Sequence, residues 1–409
     1  MGSAPPEGPG EQHTELKDAA VIFTLAMLAR VVFCFLIYPY LADRFGPGDR
    51  YDEIALNIAR GNGYTFGGVS AAAERLPLYP LVLAVGYSIF GVRAWPWQLA
   101  QCLCGAATCV VVLGMARKYA SRPASLAAAG VCAVHPTLLL YTARPLTEVP
   151  YTLLLLLFAR AVSRPGWRAL PVGGLWALQL LTKSSAMLAA VTFLPALLRV
   201  RLGALARATA CTAVALLPWL VWNMWTFGEP HLFSATWGRT LYHGLYISRF
   251  AGWTVPAADL NRDAELALWG ELAAAGISPH ADAVVRDRFA GRAAQAWIAE
   301  HPYQSAKLWL RNLLLTWYLG RSRLAMLVYA VVHGMLLAAA ALGAVRMRAS
   351  TDPQTRELAL IALLLIISYT TFHAIVQPAV RYVLPVVPLV VVLAAGVAVS
   401  SSSAAAQVH

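Results

Sequence analysis

The sequence predicts an all-α polytopic membrane protein, a helical bundle of about ten to twelve spans with interfacial helices and a small helical segment outside the membrane. Three observations predict it. Of 409 residues, 59% are hydrophobic and 13% are charged, about half the ~25% charge of an average soluble domain. Long apolar runs such as 19–41 and 382–400 match the ~20 residues a helix needs to cross hydrocarbon. Basic residues gather in short loops between such runs, as the positive-inside rule requires.

The order of spans follows from those loops. Arg117/Lys118/Arg122, Arg160/Arg164/Arg168, Arg199/Arg201/Arg207 and Arg346/Arg348/Arg356 form four basic connections, which are expected to lie in the cytoplasm. The expected spans are then 19–41, 97–116, 123–143, 147–163, 169–183, 184–199, 205–226, 324–345, 357–378 and 382–400. Two shorter apolar stretches, 77–92 and 305–320, are expected to be interfacial or re-entrant helices; if they cross, the count rises to twelve. The expected organisation is a disordered cytoplasmic tail (1–17), an N-terminal membrane module (18–226) with a first outer loop (42–96), an outer or interfacial helical segment (227–323), C-terminal spans (324–400) and a tail (401–409). No signal-peptide pattern precedes the first span, so it is expected to be retained as an anchor. Within 227–323, Ser278-Pro279 reads as a helix start, Val285, Phe289, Ala293 and Trp297 as one helical face, and His301-Pro302 as its end.

The net charge of +12 is accounted for by the loop arginines, and no basic stretch interleaved with aromatics points to nucleic acid. Cys34, Cys102, Cys104, Cys109, Cys132 and Cys211 all lie in apolar segments and read as small hydrophobes. No clean set of acidic ligands points to a metal.

Ionisable residues at the edges of apolar segments are costly and so are candidates for function. Asp49, Asp52 and Glu53 stand in GPGDRYDEIALNIARGNGY, where a helix is expected over 51–60 and ends at Gly61 and Gly63. Asp49 can cap that helix, with Asp52 and Glu53 favouring its dipole, or one acid can be a general base. Arg75 precedes LPLYP and reads as a headgroup anchor or a phosphate ligand. Arg144 and Glu148 flank a turn, and Glu148 opens an apolar helix, where it should face the interior or a cavity. Lys183 interrupts two apolar helices and can bind phosphate as a point charge or snorkel. Arg381, with Tyr382 beside it and Gln377 and His373 one and two turns earlier, starts the last span. All of these fall on one predicted membrane face. Cations and carboxylates together there suit an anionic, lipid-borne phosphate and a general base.

Five stretches in order, GDRYDEIALNIARGNGY, RLPLYPLVLAVGYSIFG, RPLTEVPYTLLLLL, PWLVWNMWTFGEPHLFSATWG and RYVLPVVPLVVVLAAG, resemble membrane glycosyltransferases of the GT-C fold. They are most similar to the protein mannosyltransferase and aminoarabinose transferase branch, over about 19 to 400. The resemblance implies transfer of a sugar, with inversion, from a polyprenyl-phosphate carrier to a hydroxyl of a lipid, glycan or protein on the outer face of a bacterial inner or plasma membrane. It implies Asp49 as base, with Asp52, Glu53 and Tyr51 beside it and Glu148 as a second acid. It implies Arg75 as a donor-phosphate ligand and places Arg381 on the last motif; with Lys183 and Arg144, read from their positions, these are the candidate phosphate ligands, supported by Tyr382 and Gln377. It implies no cofactor and no metal. The chain departs from the family at Leu76-Pro77, Lys183-Ser184 and Trp222-Asn223. The other readings are a transferase using a lipid-pyrophosphate-linked oligosaccharide, which a metal requirement would favour, and a lipid or solute transporter, which an internal repeat would favour; the sequence shows none.

Overall fold

A computed structural model describes residues 9–44, 49–66, 70–71, 74–198, 202–251, 257–278 and 281–398. Helix α1 (Pro9–Val32) continues through a π turn and a 3-10 turn to Tyr40. The short α2 (Tyr51–Ala59) and a two-residue hairpin, Thr65–Phe66 against Ser70–Ala71, form the first loop. Then come α3 (Leu78–Phe90), α4 (Trp95–Ala116), α5 (Arg122–Val134), α6 (Pro136–Thr142), α7 (Glu148–Val162) and α8 (Ala169–Leu180). A 3-10 segment, Ser184–Phe193, leads to α9 (Leu194–Leu198) and the long α10 (Leu202–Phe227). A second group follows: α11 (Trp237–Phe250), α12 (Ala257–Ala274), α13 (Ala283–Glu300) and α14 (Pro302–Tyr318). The chain closes with α15 (Arg323–Ala349), α16 (Pro353–Val376), α17 (Val380–Val383) and α18 (Val387–Ala395).

Among the described residues, six segments are long and apolar enough to cross a membrane: Gln12–Tyr40, Trp95–Ala116, Leu202–Phe227, Arg323–Ala349, Pro353–Val376 and Val380–Ala398. The pair α5–α6, bent by 49° at His135-Pro136, is a seventh if taken as one broken span. The expected spans 147–163, 169–183 and 184–199 correspond to helices of 15, 12 and 10 residues, shorter than the ~20 of a full crossing. The core lies around α18, whose Val387–Leu393 run is buried on all sides by α4, α5, α7, α15 and α16.

Several expectations change. Residues 9–17, expected to be disordered, begin α1; Asp18 ties its first turns to Arg122, at 2.7 and 2.8 Å, and to Arg117. The helix expected to start at Ser278-Pro279 starts at Ala283, because the Asp282 carboxylate caps it by accepting from the Val284 amide at 2.7 Å. Phe289, Ala293 and Trp297 pack inward as expected, whereas Val285 is exposed. Residues 1–8, Arg199, Arg201, Pro279 and the tail 401–409 lie outside the described residues.

Three of the four basic loops share one end of the bundle. Lys118 lies in the electrostatic field of Arg160, Arg164 and Asp352, and Arg348 donates to the Arg356 carbonyl at 3.2 Å. Helix α7 runs from that end, at Arg160, to Glu148 at the other.

Arg30 in α1 is fully buried and has no carboxylate among the described residues. It donates instead to the carbonyls of Ala26, Cys132 and Ala133 at 3.1, 3.2 and 3.3 Å. Pro136 lacks the N–H that would otherwise bond the Cys132 carbonyl, so Arg30 satisfies the helix break between α5 and α6.

Helix α11 crosses the end of α16 so closely that a β carbon on Gly244 would run into the Val376 carbonyl. Gly244→Ala is therefore expected to lower stability by about 1–3 kcal/mol through overpacking. Thermal unfolding of the purified protein in detergent checks this; an unchanged melting temperature would show that the crossing is looser.

Candidate active site

Arg50 has φ of 59°, a left-handed backbone uncommon for a residue with a side chain. It is the N-cap residue of α2, and no side chain caps that helix. Arg50 chelates Glu53 at 2.6 and 2.8 Å in an exposed pair. Asp49, one residue earlier, is thereby turned away from the helix, and its carboxylate receives the guanidinium of Arg381. Nη1 donates to Oδ1 at 3.1 Å and Nη2 to Oδ2. Capping, one of the two roles open to Asp49 from sequence, is not its role here.

Arg381 donates from Nε to Glu148 Oε1 at 2.5 Å, and Lys183 Nζ donates to the same oxygen at 3.0 Å. Glu148 is fully buried, and its Oε2 has no hydrogen-bond partner among the described residues. Arg75 donates from Nε to the Asp49 carbonyl at 2.8 Å and lies 5.4 Å over the Tyr51 ring. Four segments distant in sequence thus meet: the loop before α2, the start of α7, the break after α8 and the start of the last span. Three cations (Arg75, Lys183, Arg381) face two carboxylates (Asp49, Glu148), a surplus of one positive charge.

Aromatic rings frame this chain of charges. Lys183 Nζ lies 5.5 Å from the Tyr382 ring and 5.9 Å from that of Tyr151. Tyr382 donates to Gln377 Oε1 at 2.8 Å and stacks on His373 at 4.8 Å. Gln377 in turn donates to Asn261 of α12 at 3.3 Å. Arg144 stands beside the cluster, its guanidinium 5.8 Å over the Tyr141 ring, and Tyr141 also lies in the field of Arg381 and Glu148. Asp52 is exposed and has no ion pair or hydrogen bond through its carboxylate among the described residues. Glu53 is engaged by Arg50. The structure therefore gathers Asp49, Tyr51, Arg75, Glu148, Lys183, Arg381 and Tyr382, sets Arg144 and Gln377 at the margin, and leaves Asp52 and Glu53 outside.

Burial alone would raise the Asp49 pKa. The charges of Arg381, Arg75 and Lys183 and the Arg381 hydrogen bond outweigh it and hold the carboxyl well below the usual carboxylate range. Asp49 is thus ionised at any physiological pH. An ionised carboxylate offers about four acceptor positions, and Arg381 occupies two.

Two contacts escape sequence reasoning. Glu74 pairs with Arg286 at 3.1 Å, 212 positions away, and Ser184 bonds Ser234 at 3.0 Å. No local pattern signals either partner.

Residues 74–227 match the family model described as dolichyl-phosphate-mannose-protein mannosyltransferase. The whole fold is similar to the crystal structure of ArnT from Cupriavidus metallidurans bound to undecaprenyl phosphate. The TM-score is 0.54 at 17% sequence identity, covering 96% of this chain and 60% of that one. The chain has the GT-C fold of membrane glycosyltransferases. It is an integral membrane protein and spans 60% of the length of that ArnT chain. Comparison with curated proteins by sequence gives no match. The region matched by the family model, residues 74–227, contains Arg75, Arg144, Glu148 and Lys183, whereas Asp49 and Arg381 lie outside it on either side.

Proposed function

We propose that this protein is an inverting glycosyltransferase. It takes a sugar from a polyprenyl-phosphate carrier and passes it to a hydroxyl of a lipid, glycan or protein on the non-cytoplasmic face of a bacterial inner or plasma membrane. The observation that carries this reading is the ionic chain Asp49–Arg381–Glu148–Lys183 with Arg75 beside it, at the end of α7 opposite the basic loops. By the positive-inside rule that end faces away from the cytoplasm.

In this mechanism the acceptor hydroxyl attacks the anomeric carbon of the sugar. As that bond forms, the carbon–oxygen bond to the phosphate breaks and the hydroxyl proton passes to Asp49. The departing polyprenyl phosphate keeps the electron pair. Arg75 and Lys183 have donors to spare: Arg75 Nη2 and all but one of the Lys183 protons have no partner among the described residues. They match the phosphate charge, so the reaction needs neither a metal nor another cofactor. All three guanidinium nitrogens of Arg381 bond a carboxylate, and it acts chiefly by fixing Asp49 and Glu148. Asp49 is the better placed proton acceptor because it stands within the ionic chain beside Arg75, whereas Asp52 is exposed outside it.

Purified protein given a polyprenyl-phosphate sugar and an extract of envelope lipids and glycans as acceptor tests this. Sugar is expected to leave the monophosphate carrier, with polyprenyl phosphate as product, and EDTA is expected to leave the rate unchanged. Turnover only with a pyrophosphate-linked donor would favour the oligosaccharide-transferase reading instead. The clustering of charge at one end of the bundle, away from the midplane, speaks against the transporter.

A further inference from the structure

Arg75 sits in a segment pinned on three sides. Its own carbonyl accepts from the Tyr64 hydroxyl at 3.1 Å. Three residues on, the Leu78 amide donates to the Leu181 carbonyl at 3.0 Å, two residues before Lys183. On the other side Glu74 Oε1 accepts from Arg286 at 3.1 Å, with side-chain exposures of 14% and 27%. The Glu74 carbonyl also accepts from Arg75 Nη1 at 2.8 Å. Glu74 therefore links the Arg75 guanidinium to Arg286.

Arg286 stands on a firm base. Its Nε donates to the Ala281 carbonyl at 3.0 Å. The next residue, Asp287, accepts the Arg239 amide at 2.9 Å, and Arg239 chelates Glu265 of α12 at 2.8 and 3.0 Å. Gly238 lies so close to the Asp287 carbonyl that a β carbon there would collide with it. Helices α11, α12 and α13 are thus locked together beneath Arg286.

We propose that Glu74 and Arg286 are positioning residues, through which the outer helices hold Arg75 in place to receive a polyprenyl phosphate. The pair touches no reacting atom. It acts by fixing the direction of a guanidinium whose value as a ligand depends on being in place before the phosphate arrives. The proposal rests on the reading of Arg75 as a phosphate ligand, and the test separates the two.

The test is binding of undecaprenyl phosphate to the full-length protein in lipid nanodiscs. Arg75→Ala, Glu74→Gln, Arg286→Gln, Arg286→Lys and the double Glu74→Gln/Arg286→Gln are compared with wild type, and each is checked for an unchanged melting temperature. Arg75→Ala is expected to weaken binding at least tenfold, and Glu74→Gln and Arg286→Gln each about fivefold, less than the loss of a direct charge-assisted contact because the pair acts only through Arg75. The double variant should be no weaker than either single, because the pair acts as a unit, and Arg286→Lys should stay within about twofold of wild type, as it keeps the charge. If Arg75→Ala weakens binding while Glu74→Gln and Arg286→Gln do not, the positioning role is overturned and the Arg75 reading stands. Additive losses in the double variant overturn it too. If Arg75→Ala binds like wild type, both fail together. Should Arg286→Gln fold poorly, Glu74→Gln alone decides.

Discussion

Asp49→Asn lowers sugar transfer by about 10²–10⁴-fold, the usual contribution of a general base, and leaves undecaprenyl phosphate binding intact. The substitution keeps the size and the hydrogen-bond acceptor of the side chain, so Arg381 retains a partner. It removes the group that takes the proton, and it also removes a negative charge near the donor phosphate, so donor affinity should hold or rise. Asp52→Asn is expected to stay within about twofold of wild type, because Asp52 is exposed outside the ionic chain. Steady-state kinetics on the two purified variants checks the assignment. An active Asp49→Asn beside an inactive Asp52→Asn would move the base to Asp52. Two active variants would remove this loop from the chemistry.

Arg381→Ala carries the second large effect, and it strikes stability and pH dependence together. Arg381 is the partner of both site carboxylates, and Glu148 is fully buried. Removing one side of such a cluster costs about 3–5 kcal/mol, since a buried charge loses its compensation. The sign of the pH effect follows from Asp49. Burial pushes its pKa up, and Arg381 is the largest charge pulling it down. In the wild type the base stays ionised as pH falls through the ordinary Asp value of ~3.9, so the acid limb of the rate profile lies below that value. Without Arg381 the limb moves to higher pH. Arg381→Lys, which keeps a charge and loses the fork, should fold better and show a smaller shift in the same direction. Rate–pH profiles of the two variants decide this. An acid limb that stays in place in both would mean that Arg381 does not set the state of the base.

Much of this architecture is legible in the chain because the bilayer restricts what can cross it. Apolar length and loop charge separate the end bearing Glu148 from the end bearing Arg160 without any coordinates. The candidate residues could also be named, since a Glu opening an apolar helix or a Lys between two of them has few bland explanations. Their pairing could not. Asp49 and Arg381 are 332 positions apart, and no local pattern selects one partner for Asp49 among Arg75, Arg144, Lys183 and Arg381. Tertiary packing made the choice. The left-handed turn at Arg50 was equally hidden, because Asp before a helix is an ordinary cap; the backbone at Arg50 is what frees Asp49. The extent of the helices around Lys183 is likewise hidden, because apolar composition alone does not mark where a helix ends. The start of α13 moved because Asp282 competes with Ser278-Pro279 for the same task.

The most direct measurement is mass spectrometry of envelope lipids and glycans from cells in which this chain is deleted, then restored as wild type or as Asp49→Asn. The account predicts that a glycosylated species is lost on deletion, returns with the wild type and stays absent with Asp49→Asn. An envelope that does not change on deletion, or one that Asp49→Asn restores in full, would contradict it.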